Sequence, residues 1–147
     1  MIRFYEGIIH AGEWFSSYLL LAMRLYWGYA FFQSGMGKFA HIEETVQFFE
    51  SLNIPFALAN VYAVASIEAA GGLLLLIGLG SRLVAIPLIA VMCGAYLTAH
   101  FDALVQVFSK PEVFISRAPF NFLLMCLVIF SFGPGIFSMD YLLQRKK

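Results

Sequence analysis

Glu68 stands at the middle of Phe56 to Leu79, FALANVYAVASIEAAGGLLLLIGL, a stretch long and apolar enough to cross a membrane. A carboxylate at that depth costs about 3 kcal/mol on insertion scales, so it has to be paired, protonated or functional. Arg24, inside the preceding apolar stretch, is the first candidate partner. At a rise of ~1.5 Å per helical residue, counted from the expected inner ends of the two spans, their levels differ by about 3 Å. An Arg24–Glu68 ion pair inside a helix bundle is therefore expected, and it need not add net stability because both charges are desolvated. The competing reading of Glu68 is proton handling, since an ionisable group in a membrane interior is a functional candidate by default.

A second polar set clusters towards the opposite boundary. Gln33, Ser34, Lys38, Tyr62, Tyr96, His100 and Asn121 all fall within about three helical turns of it. Tyr96 and His100 are four residues apart, hence on one helix face. Such a set offers hydrogen-bond donors and a titrating imidazole to the head of a lipid-soluble ligand, for which a quinone is the leading candidate. Glu68 and His100 are the expected catalytic groups, and Lys38, Tyr96, Asn121 and Gln33 the expected ligand contacts. The bland alternative is that tyrosines and lysines simply favour the interface. Cys93 and Cys126 come within about 2 Å in depth on the helical rise. They could meet, but small apolar packing is the ordinary role of such residues. Neither CxxC nor Cys/His spacing occurs, so no metal site is expected.

The elements that must hold these residues follow from composition and periodicity. With 61% hydrophobic, 17% aromatic and 12% charged residues and a mean hydropathy of +0.82, the chain is too apolar for a soluble domain. Its 147 residues have room for four crossings at about 20 residues each and for no separate soluble domain. The expected fold is all-α: one transmembrane domain over residues 1–147, a four-helix bundle with spans at about 15–37, 56–79, 83–101 and 119–139. Two short interfacial helices are expected, at about 2–14 and 40–52. The second, AHIEETVQFFESL, sets Ile42, Val46 and Phe49 opposite Glu43, Glu44, Gln47 and Glu50 and links the first two spans. On the first span Arg24, Gly28, Phe31, Gly35 and Lys38 share one face, where the glycines admit a close neighbour. Gly71 and Gly72 are the matching small residues on the second span. Arg3, Arg82, Arg145, Lys146 and Lys147 fall on one side of the membrane, against Lys38, Lys110 and Arg117 on the other, which places both termini inside. Zero net charge gives no footing for a nucleic-acid partner.

Taken together, RLYWGYAFFQSGMGKF (Arg24 to Phe39), NIP (Asn53 to Pro55), IEAAGGLLLLIGLGSRLVA (Ile67 to Ala85) and His100 resemble the DoxX family of small four-helix bacterial membrane proteins. The resemblance runs from about Leu19 to Phe101 and more weakly through the fourth span. It implies that Arg24, Gly28, Gly35, Lys38, Glu68, Gly71, Gly72, Gly78, Arg82 and His100 are signature positions, and that the chain lies in the bacterial inner membrane. Some members resemble subunits of a thiosulfate to quinone oxidoreductase, and others look like partners of thiol and superoxide defence proteins. The leading expectation is a redox-associated membrane subunit of an oxidoreductase, with a quinone-like ligand in an outer-leaflet cavity bordered by Lys38, Tyr96 and His100. The alternative is a non-catalytic membrane anchor for a soluble oxidoreductase partner. Third comes a small transporter, disfavoured by the lack of inverted repeats. Membrane lipid is the expected surrounding, and an oligomer is compatible with the sequence.

Overall fold

The computed structural model describes residues 2–145, without the side chains of residues 2–11 and 13. The basic contributions expected from Arg3, Lys146 and Lys147, and the amphipathic face expected over residues 2–14, lie outside the described side chains. The described residues form eight helices and no strand: α1 (Ile2–Ala40), α2 (Ile42–Ser51), α3 (Ala57–Ile77), α4 (Ser81–Thr98), α5 (Phe101–Val105), α6 (Pro111–Ile115), α7 (Ala118–Phe132) and α8 (Met139–Gln144).

Local chemistry sets the breaks. Asn53 and Phe56, on either side of Pro55, both take positive φ between α2 and α3. At the far end of α3, Gly78 sits at φ 71, a left-handed position that glycine adopts without a Cβ clash. There Leu79 N donates to Leu74 O and Gly78 N to Leu75 O, the paired bonds of a Schellman stop. Gly133 at φ 82 and Pro134 end α7, and the Ser138 hydroxyl accepts from Tyr141 N to start α8. Asp140 on α8 reaches back, its two carboxylate oxygens accepting from Gly80 N at 2.7 Å and Ser81 N at 2.9 Å. That carboxylate caps α4, where a negative charge is favoured.

α1 packs most extensively on α3, and α4 on α7. A Cβ added to Gly35 would lie 2.6 Å from Ala65 O, and one added to Gly72 would lie 2.5 Å from Gly28 O. The two antiparallel backbones therefore touch, which only glycine permits at those positions. Phe31, Leu75, Leu88, Met125 and Ile129 fill the core between this pair and α4 and α7.

Two helices, Ala57–Ile77 and Ser81–Thr98, are long and apolar enough to cross a membrane, with 33% and 28% of their most apolar windows buried inside the protein. A soluble protein's core helix is mostly buried, whereas these turn apolar side chains such as Leu58, Leu73, Leu83 and Leu97 outward, as a lipid-facing surface does. α7 is apolar but has only 15 residues.

Three expected boundaries change. Residues 2–14 form no separate helix but run without interruption into α1, because no proline or capping residue breaks the chain before Phe15. The fourth span, expected over 119–139, stops at Phe132, since Gly133 and Pro134 cannot continue it. The loop after His100 contains the short helices α5 and α6.

The glycine contact makes a stability prediction. Gly72→Leu must overpack the α1–α3 seam at a cost of about 1–3 kcal/mol or more, whereas Gly37→Ala enters open space and should hold or raise stability. Thermal unfolding in detergent should show a lowered midpoint for Gly72→Leu alone. Equal midpoints would contradict the seam.

Candidate functional site

A cavity of about 610 Å³ lies between α1, α3, α4 and the start of α7. Phe31, Ser34 and Lys38 of α1 form one wall, Asn60 to Glu68 of α3 and Pro87 to Thr98 of α4 two more, and Phe122 of α7 the back. Phe48 and Phe49 of α2, with Leu52, line it above. The roof comes from the amphipathic pattern of α2, which leaves Glu43, Glu44 and Glu50 exposed on its other face.

The floor is charged. Lys38 Nζ donates to Glu68 Oε2 at 2.5 Å and to Ser34 Oγ at 2.9 Å. Lys38 is near the end of α1, and a helical side chain leans back towards the N-terminus, so its ammonium comes level with Ser34. The Gly35 contact draws α3 close enough for Glu68 to meet it there. Glu68 is 3% exposed, and what remains exposed faces the cavity. Among the described residues its Oε1 has no hydrogen-bond partner, and an ammonium carries three N–H groups of which two are used. The site therefore offers one carboxylate oxygen and one ammonium N–H to whatever fills an otherwise largely apolar chamber.

His100, in the turn between α4 and α5, lines the same cavity. Three expected contacts do not. Tyr96 is 2% exposed, stacks on Phe114 at 4.4 Å and donates to Phe114 O at 2.9 Å, so it fastens α4 to α6. Asn121 faces outward. Gln33 is also exposed, and its amide donates to Tyr29 Oη on the outer surface of α1. Both lie on helix faces turned from the bundle. Tyr62 is 48% exposed. Cys93 is exposed, Cys126 is buried, and both are free thiols.

The expected Arg24–Glu68 pair is replaced by two separate arrangements. Arg24 is 1% exposed and donates through Nε to Leu75 O at 3.0 Å, through Nη1 to Pro134 O at 2.6 Å and Phe137 O at 3.2 Å, and through Nη2 to Leu76 O at 3.3 Å. These are the last carbonyls of α3 and those of the loop before α8. Carbonyls at a helix C-terminus carry partial negative charge, and a guanidinium has five N–H donors to satisfy several at once. Depth counting failed because it measured Arg24 from an inner end near residue 15, whereas α1 begins at Ile2 and slides Arg24 level with the end of α3.

Sequence reasoning missed Phe48, Phe49 and Phe122 as cavity walls and Asp140 as the cap of α4. Phe49 was legible, since it already belonged to the apolar face of an amphipathic segment. Nothing in the spacing from Gly80 to Asp140 marks the cap.

The family model described as DoxX matches residues 19–101. One relative, named "Putative oxidoreductase CatD" from Bacillus subtilis (strain 168), is 34% identical over 105 residues, covering 71% of this chain and 70% of its own length. Another, "Uncharacterized membrane protein Rv3486" from Mycobacterium tuberculosis (strain ATCC 25618 / H37Rv), is 27% identical over 139 residues, or 86% and 82% of the two chains. No solved structure matches the chain.

Charge cycles in the purified protein check the two arrangements. Lys38→Met or Glu68→Gln alone should cost about 3 kcal/mol, the lower end for a broken buried pair, and the double variant less than the sum. Arg24→Glu with Glu68→Arg should fail to restore stability, because Arg24 serves carbonyls. Rescue by that exchange would reinstate the rejected pair.

Proposed function

The chain belongs to the DoxX family, and on that footing we propose that it is a redox-associated membrane subunit that receives the polar head of a quinone-like ligand between Lys38, Glu68 and His100. The observation that carries this reading is the buried Glu68 carboxylate, partnered on one oxygen by Lys38 and open on the other to an apolar cavity. Apolar pockets with a few convergent polar groups are the usual form of small-molecule sites. A relative named as an oxidoreductase supports the redox assignment.

The donor set suits a ring with two oxygens. A carbonyl of the oxidised ring would accept from the free ammonium N–H of Lys38, and a hydroxyl of the reduced ring would donate to Glu68 Oε1. A quinone, when bound, supplies reversible two-electron, two-proton chemistry. The protein's residues hold and move protons around it. Glu68 accepts or returns a proton at Oε1. Lys38 fixes the carboxylate and the head in register. His100, at the end of α4, exchanges protons between the cavity and water, a task matched to imidazole. Around them, Phe48 and Phe49 line the α2 side of the cavity and make the surroundings of the floor apolar.

The membrane arrangement belongs to the same proposal. α1, α3, α4 and α7 serve as four crossings in the bacterial inner membrane, and α2 lies along the interface. Arg82 and Arg145 stand at the end of the bundle holding Arg24, and Lys38 and His100 at the other. By sequence position Arg3, Arg82, Arg145, Lys146 and Lys147 outnumber Lys38, Lys110 and Arg117, and with the more basic side set inside, both termini are cytoplasmic and the cavity opens in the outer leaflet. A soluble oxidoreductase would then supply or take the electrons.

Quinone titration tests this. In nanodiscs, with Trp14→Phe to remove the exposed indole, fluorescence of Trp27, whose ring packs on Phe122 at 4.9 Å, should be quenched saturably by a short-chain quinone. Lys38→Met should weaken binding of the quinone, and Glu68→Gln binding of its hydroquinone, roughly tenfold, as expected for a lost hydrogen bond to a charged group worth about 1.5–3 kcal/mol, while Asn121→Ala should weaken neither. Quenching without saturation, or unchanged by both floor variants, would leave the anchor reading in its place.

A further inference from the structure

We propose that the cleft between α3 and α4 is a tail subsite: it passes the single long hydrocarbon chain of the ligand sideways from the cavity into the lipid. This rests on the quinone-like reading of the charged floor. The two helices are joined by the short Gly78–Gly80 turn and pack tightly where a Cβ added to Gly71 would come 3.1 Å from the Leu88 side chain. Beyond that level they part. Ala63, Val64 and Ile67 form one lip at helical spacing, and Ala90 and Gly94 the other, with Pro87 at the level of the contact itself, all of them lining the cavity. Ala63, Pro87 and Ala90 are exposed, and a Cβ added to Gly94 would meet nothing within 4 Å. The chamber is thus open along this flank.

Geometry leaves a tail few other routes. Glu68 is three residues from Gly71, about 4.5 Å on the helical rise, so a head held at the floor sits just above the point where α3 and α4 diverge. Above it stand Phe48, Phe49 and Leu52 of α2, and behind it Phe31 and Phe122. The flank between α3 and α4 is lined by small apolar groups and faces outward. A chain of methylene or prenyl units would cross it without leaving any buried polar group unpaired.

A tail series tests the subsite without touching the floor. Gly94→Leu and Ala90→Phe fill the cleft, and Gly94→Leu has space to fold because nothing opposes its Cβ. Affinities of a tail-less benzoquinone and of its decyl and polyprenyl analogues are measured in nanodiscs, with concentrations expressed in the lipid phase. Wild type should bind the tailed ligands at least tenfold more tightly. Both variants should lose that advantage yet keep the wild-type affinity for the tail-less head. Equal affinity for tailed and tail-less quinones in wild type, as expected if phospholipid chains keep the cleft filled, would overturn the subsite but leave the head site standing. A tail advantage that survives both variants would likewise overturn it. Failure of every quinone to bind wild type would remove the reading on which the subsite rests, and the subsite with it.

Discussion

Gly35 and Gly72 let the backbones of α1 and α3 meet, and two charges of α1, the buried Arg24 and the half-buried Lys38, take their partners from the register which that contact sets. Arg24 falls against the last carbonyls of α3, and the ammonium of Lys38 falls against Glu68. A Cβ at either glycine would push the helices apart by more than a side chain could absorb. Both charges would then lose partners in a setting where an unpaired charge is costly.

The two ends of the bundle use their charges differently. At one end, the Arg24 guanidinium gathers carbonyls from α3 and from the loop before α8, while Asp140 caps α4. α1, α3, α4 and α8 are thereby tied into one polar knot. At the other end α3 and α4 diverge, and a carboxylate, an ammonium and an imidazole face a chamber. A closed knot suits fixing helices, and an open chamber suits receiving a ligand. The rigid end also fixes the angle at which α3 and α4 part, and so the width of the cavity they enclose.

Much of this was legible in the sequence. The apolar segments, the amphipathic α2, the interior face bearing Arg24, Gly28, Phe31, Gly35 and Lys38, and the presence of Lys38 and His100 near one cavity all follow from period and spacing. The partner of Glu68 was also within reach. Aligning Gly28 with Gly72 in an antiparallel pair puts Arg24 opposite Leu76 and Glu68 opposite Phe32, one turn or less from Ser34. That is where a lysine at position 38 delivers its ammonium once its lean towards the N-terminus is included. Counting depth from assumed span ends discarded this information, because helix boundaries are the least certain part of a sequence reading. Tyr96, Asn121 and Gln33 could not be sorted in the same way. Each lies near the right level, and only the rotation of its helix decides between cavity, core and lipid. The Asp140 cap depends on a chain reversal at Gly133 to Gly135 whose direction no local pattern encodes.

Mass spectrometry of the small molecules retained by the mildly solubilised protein tests the charged floor most directly. Wild type should carry a quinone at about one per chain, and the folded Lys38→Met/Glu68→Gln protein should carry none while retaining ordinary phospholipid. Phospholipid alone in both preparations, or the same quinone content in both, would contradict a ligand site built on Lys38 and Glu68.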